Sequence, residues 1–170
     1  MTELSSNDEL FLRRAIALSH KAVSTGCRPF GAVLVDKRGN VVAEGHSTQQ
    51  LDKDWTAHAE IKVIRESGRL LSWEELKEST LYSSSDPCPM CSGAIYWSNI
   101  RRLVYGMGED AMRPLRKESL QGRGLVMSCR EVLAKSPHDI EVIGPALEAE
   151  AAKAHLVFWN NPRGAEGWVK

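Results

Sequence analysis

The sequence predicts an α/β protein, a three-layer α/β/α sandwich around a central mixed sheet of about five strands. Three observations predict it. Residues 30–46 read as two adjacent antiparallel strands joined by a tight turn. After residue 46, strands and helices alternate, which argues for parallel pairing with helices on both faces. The 170 residues, 42% apolar and 26% charged, suit one folded domain with an ordinary buried core.

Each element has a local reason. Ser6 followed by Glu9 is a capping-box pattern, and Leu10, Phe11, Ala15, Leu18 and Ala22 recur at helical spacing until Gly26, so a helix is expected over 7–25. "FGAVLVD" is a buried-strand run, "KRGN" a turn with Gly39 at positive φ, and "VVAEGH" a second strand, giving a hairpin from Phe30 to His46. A helical pattern from His58 to Glu66 is expected to end at Gly68, Ser72 with Glu75 caps a further short helix, and "TLYSSS" is a strand. Pro87 and Pro89 are tolerated where first-turn amides have no intrahelical acceptor, so a helix is expected from Cys88 to Trp97. "RRLVYG" and "IEVIG" are the remaining strands, and 145–157 is a final Ala- and Glu-rich helix.

The domain is expected to span 1–157, followed by a tail, 158–170, that carries Phe158, Trp159 and Trp168. Tryptophans on a loose tail are costly in water, so this segment is expected to pack on its own domain or on a neighbouring subunit.

Charge narrows the choice of partner. Twenty-two basic residues balance twenty-two acidic ones, so no global positive field gathers a polyanion. Residues 101–130 hold a local excess (Arg101, Arg102, Arg113, Arg116, Lys117, Arg123 and Arg130 against Glu109, Asp110 and Glu118), which reads first as a solvated face. The start "MTELSSNDELFLRR" lacks an apolar core of a signal peptide, and no run of eighteen apolar residues occurs, so a cytoplasmic protein with no membrane segment is expected. In that reducing compartment Cys27, Cys88, Cys91 and Cys129 are thiols.

The chemistry concentrates in two stretches, "TAHAEIKVIRESG" and "SDPCPMCSGAIYW". The C-x-x-C pair by itself fits a redox couple, half of a structural zinc clamp or part of a catalytic metal site; neither Cys27 nor Cys129 has a partner with which to complete a clamp. If the helices starting at His58 and Cys88 begin at one edge of the sheet, His58, Cys88 and Cys91 can converge on one Zn2+ and leave a fourth position for water. A helix N-terminus favours the thiolate form. Glu60, two residues after His58, is placed to reach that water and to move protons.

The order H-x-E then P-C-x-x-C is the signature of the zinc nucleobase deaminases. From "PFGAVLV" through "HAE" to "PCPMCSGAIYWSNIRRLVYG" the chain resembles the cytidine deaminase-like superfamily, and is most similar to the bacterial guanine and nucleoside deaminases. The resemblance implies metal binding by His58, Cys88 and Cys91, proton transfer by Glu60, and hydrolytic deamination of a small nucleobase or nucleoside with release of ammonia. It places Trp97 and Phe30 as aromatic walls of the substrate pocket and Asp110, with Glu109 as its neighbouring alternative, as a second acidic residue. In "EGHST", Ser47 occupies the place of an asparagine that, in the family, hydrogen-bonds the base; serine offers one hydroxyl where asparagine offers a donor and an acceptor, so a change in the base edge read by Ser47 is expected. A guanine-like purine is the substrate implied, with adenosine in a tRNA loop and cytosine as alternatives. A homodimer, with the 158–170 tail exchanged between subunits, is the assembly implied.

Overall fold

A computed structural model describes residues 4–116 and 125–161. Helix α1 (Ser6–Ser24) opens with a capping box one residue earlier than expected: the Oγ of Ser5 accepts from the Asp8 amide at 3.1 Å, and Asp8 Oδ2 accepts from the Ser5 amide at 3.1 Å. Asp8 explains the shift. Its carboxylate is buried and also receives Tyr82 and Arg102, a position that Glu9, paired with Arg13 on the surface, does not reach.

Strands β1 (Gly31–Val35) and β2 (Val41–His46) form the expected hairpin, turning through Gly39 at φ +84°. The one-turn helix α2 (Gln49–Asp52) follows, and then α3 (Ala59–Leu70). Helix α3 runs through Gly68 instead of ending there. An interior glycine costs only about 1 kcal/mol, and the break comes one turn later, where Ser72 caps α4 (Trp73–Lys77) with its own box. Among the described residues there follow β3 (Thr80–Ser85), α5 (Pro89–Trp97), β4 (Arg102–Met107), α6 (Glu109–Met112), a 3-10 turn, α7 (Cys129–Leu133), β5 (Glu141–Ile143) and α8 (Glu148–Trp159). Phe158 and Trp159 therefore end a helix that packs on its own domain, whereas Trp168 lies outside the described residues.

The sheet is mixed, in the order β2-β1-β3-β4-β5. Strand β1 runs antiparallel to both neighbours, and β3, β4 and β5 are parallel. Side chains alternate across it as a period of two requires. Ala32, Leu34, Leu81 and Leu103 meet Val63 and Ile95 from α3 and α5 on one face. Val33, Val35, Tyr82 and Val104 meet Leu12, Ile16 and Ala151 from α1 and α8 on the other. Burying each such Leu, Ile or Val contributes about 2 kcal/mol, which holds the three layers together. The first layer contact is at the backbone: a Cβ on Gly31 would lie 2.3 Å from the Ala15 carbonyl oxygen, so α1 rests directly on the start of β1.

Candidate active site

His58 and Cys88 occupy equivalent places, each the residue immediately before a helix, α3 and α5. Neither side chain caps its own helix, whereas Ser5, Ser72 and Ser128 form complete capping boxes on α1, α4 and α7. The first-turn amides and the dipoles of α3 and α5 favour negative charge at these positions.

The two helix starts bring three ligand atoms together. His58 Nδ1 lies 3.6 Å from Cys88 Sγ and 3.4 Å from Cys91 Sγ, and the sulfurs are 3.7 Å apart. A tetrahedral zinc with ordinary Zn–S and Zn–N bonds sets its ligands about 3.8 Å (S to S) and about 3.6 Å (N to S) apart, so the trio fits that ion. Its chemistry agrees. The contact with Cys91, and His58 beside it, pull the Cys88 thiol down to about 4 against the opposing effect of burial. The same contact, together with burial, pushes Cys91 well above its usual range, so a dication is what stabilises both as thiolates.

Glu60 stands next to the trio and is buried. Burial pushes its carboxyl up, while the charge of His58 pulls it down. One oxygen is held: the Ser83 hydroxyl, from the end of β3, donates to Oε1 at 2.9 Å. The other, Oε2, lies 3.5 Å from Cys91 Sγ, on the ligand side.

A cavity of about 270 Å³ opens on His58, Glu60 and Cys88. Its apolar lining includes Phe30, Leu125, Met127 and Trp159, and its polar lining Arg28, Asp86, Glu109 and Arg116. Arg116 grips Glu109 through two hydrogen bonds of 3.2 Å. Burial, reinforced by the nearby charge of Arg116, pushes Arg28 down to about 10. Asp86 Oδ1 accepts from the Cys129 amide at 2.9 Å, tying the loop before Cys88 to the start of α7.

Residues 5–107 match the family model of the cytidine and deoxycytidylate deaminase zinc-binding region. The chain belongs to this zinc-dependent deaminase family. It is therefore a hydrolase acting on a ring amidine, and zinc is its metal. The deaminase is 39% identical over 163 residues to a probable cytosine deaminase of Schizosaccharomyces pombe, covering 95% of this chain and 98% of that one. It is 44% identical over 100 residues to the guanine deaminase of Bacillus subtilis, covering 58% of this chain and 64% of that one, so it spans under two thirds of that relative's length. A solved structure from work on A-to-I editing by tRNA:A34 deaminases at the wobble position of transfer RNA superposes with a TM-score of 0.68 at 31% identity, covering 86% of this chain and 99% of that one. The mixed five-stranded sheet of the deaminase is the one this comparison shares.

The residues expected at the site separate into two groups. His58, Glu60, Cys88 and Phe30 all line the cavity, and Cys91 completes the trio. Trp97, Ser47 and Asp110 do not line it. Trp97 ends α5, about 13 Å along the helix from the residue at its start, is 76% exposed and meets the edge of Tyr96 instead. Ser47 is buried, with its hydroxyl donating to Gln49 Oε1 at 3.2 Å. The Asp110 side chain points to solvent beside Arg113, and its neighbour Glu109 is the acidic residue on the cavity wall.

Arg28, Asp86, Arg116, Trp159 and the hydrophobic pair Leu125 and Met127 were not foreseen as lining residues. Their signals were weak: Arg28 is a lone charge two residues before Phe30, and Arg116 one of seven basic residues in a basic stretch. Trp159 had a signal, the need of the aromatic 158–170 segment for cover.

Proposed function

We propose that this deaminase hydrolyses the exocyclic amine of a single free nucleobase or nucleoside, releasing ammonia. The observation that carries the reading is the cavity, about 270 Å³, with Glu60 and the ligand trio on its lining and Phe30 and Trp159 supplying aromatic faces. That is the small end of the size range of ligand sites, suited to one ring system. Stacking on such faces is worth about 1–3 kcal/mol per base and accepts any base.

The basic stretch gives no support to a tRNA substrate. Arg101 donates to Asn99, Arg102 to Asp8 and Glu141, Arg116 to Glu109, and Arg130 to the Gly144 carbonyl, while Arg113 is ion-paired to Glu109 and Asp110. These five are engaged within the chain; Lys117 and Arg123 lie outside the described residues.

When bound, zinc supplies Lewis-acid activation of water. The rest falls to the chain. We assign His58, Cys88 and Cys91 the binding of the ion, and Glu60 the transfer of protons to the ring nitrogen and the departing amine. Ser83 holds Glu60 Oε1 and so turns the opposite oxygen toward the ligand side. Phe30 and Trp159 orient the ring and exclude water. Glu109, fixed by Arg116, presents a carboxylate to an N–H edge of the base.

Within this class the purine reading draws on Trp97, on Asp110 or its neighbour Glu109, and on the guanine deaminase resemblance; Trp97 and Asp110 lie off the cavity, and Glu109 on its wall. Cytosine is the second reading, favoured by the relative from Schizosaccharomyces pombe that aligns along nearly its whole length. The test is ammonia release from a panel of free purine and pyrimidine bases, their nucleosides, and an anticodon stem-loop. Turnover of a free base or nucleoside is expected. Turnover of the stem-loop alone overturns the proposal.

A further inference from the structure

We propose that His155 is a positioning residue of the substrate cavity, holding the two aromatic walls, Phe30 and Trp159, at a fixed angle through one neutral imidazole. His155 lies in α8, completely buried, and touches neither the ligand trio nor the cavity itself. It makes three directed contacts. The indole Nε1–H of Trp159 donates to His155 Nδ1 at 3.3 Å, His155 Nε2 and Ser85 Oγ are 2.9 Å apart, and the Phe30 ring meets the imidazole edge-on at 5.2 Å and 79°.

These contacts select one protonation state. An indole nitrogen only donates, so Nδ1 carries no proton. The proton of the neutral ring is then on Nε2, which donates to the Ser85 hydroxyl oxygen. A doubly protonated ring would face N–H against N–H at Trp159. Burial, with the charge of Arg116 added, pushes His155 down to about 3, in keeping with the neutral ring.

The consequence reaches the cavity because the two aromatic partners of the imidazole, Phe30 and Trp159, line it. His155 and Trp159 are four apart on α8, so they share a face, and a hydrogen bond between them fixes the indole plane. A residue of similar bulk without an acceptor would leave the buried indole N–H unsatisfied, and the ring would turn to recover a partner. Ser85, on the other side, ends β3 beside the loop to Cys88, and its carbonyl oxygen lies 2.7 Å from the Ser83 hydroxyl, whose proton goes to Glu60. One side chain thus ties the last helix to the strand end from which the site is built. A residue that only filled space would need none of these directions.

The choice of substrate in the test rests on the free-base reading; the test of the imidazole does not. In the zinc-loaded protein, His155→Leu is expected to raise KM about tenfold while kcat stays within about threefold, with one zinc per chain retained. His155→Asn, which restores an acceptor near the place of Nδ1, is expected to recover most of the loss. Wild-type KM in folded His155→Leu, or a kcat loss at unchanged KM, overturns the proposal. A nitrogen-15 spectrum of the wild-type imidazoles is the second arm, and covers a variant that fails to fold. It is expected to show His155 as the neutral Nε2–H form at neutral pH; an Nδ1–H form or a charged ring overturns the proposal. Absence of ammonia from every free base and nucleoside in the wild type would sink the proposed function and leave this spectrum to decide for His155.

Discussion

Asp8 offers a quantitative test of how α1 is fastened to the sheet. Its carboxylate receives Arg102 through two bonds of 2.6 and 3.1 Å, the Tyr82 hydroxyl at 2.9 Å and the Ser5 hydroxyl at 2.7 Å. Burial pushes this carboxyl up, but Arg102 and the Ser5 and Tyr82 donors outweigh it and hold it well below the usual carboxylate range. Breaking a buried pair by removing one partner costs about 3–5 kcal/mol. Arg102 is 29% exposed and keeps Glu141 at 2.7 Å, which places Asp8→Asn at the lower end, about 3 kcal/mol at pH 7. The sign of the pH dependence follows from the depressed folded value. The stabilisation is complete above the unfolded value of about 3.9 and is lost as pH falls below it. Between pH 7 and pH 3 the gap between wild type and variant should therefore shrink by about 1 kcal/mol, near 1.4 kcal/mol for each unit below the unfolded value. Urea unfolding followed by circular dichroism at the two pH values measures both quantities. A gap below about 1 kcal/mol at pH 7, or an equal gap at both pH values, would refute the account of the pair as a charged buried anchor.

Three further outcomes are expected. Glu60→Gln should lower kcat about 10²- to 10⁴-fold with zinc content unchanged, measured by ammonia release beside atomic emission; unaltered turnover would remove Glu60 from proton transfer. Cys91→Ala should lose stoichiometric zinc and all but residual activity, and a variant that keeps one tightly held zinc per chain would contradict the trio. Gly31→Ala should destabilise by about 3 kcal/mol, because the added carbon collides with the backbone at Ala15 and Ser19, which has no rotamer to give; a thermal midpoint equal to wild type would mean that α1 moves freely on β1.

The layers were readable because the pattern is physical: buried runs such as "AVLV" and the helical spacing of α1 state which faces must be covered. The trio was readable because two helix starts with ligand side chains are a sequence-local feature. What was misplaced depended on three-dimensional position. Trp97 shares a helix with Cys91 yet lies more than a turn further along it, and Glu109 rather than Asp110 faces inward because the turn of α6 sets its direction. The helices α2, α6 and α7 are too short to show a period. His155 gave no signal, since only Trp159 is near it in the chain, while Ser85 and Phe30 meet it only after the sheet is assembled.

The starts of α3 and α5 serve two purposes with one set of backbone groups. On α1, α4 and α7 a serine closes the helix start, but on α3 and α5 that place is taken by a residue with a metal-ligating side chain. The peptide dipoles that meet a hydroxyl at the other helix starts here face the donor atoms themselves, so the backbone that begins each helix also lowers the cost of keeping sulfur anionic.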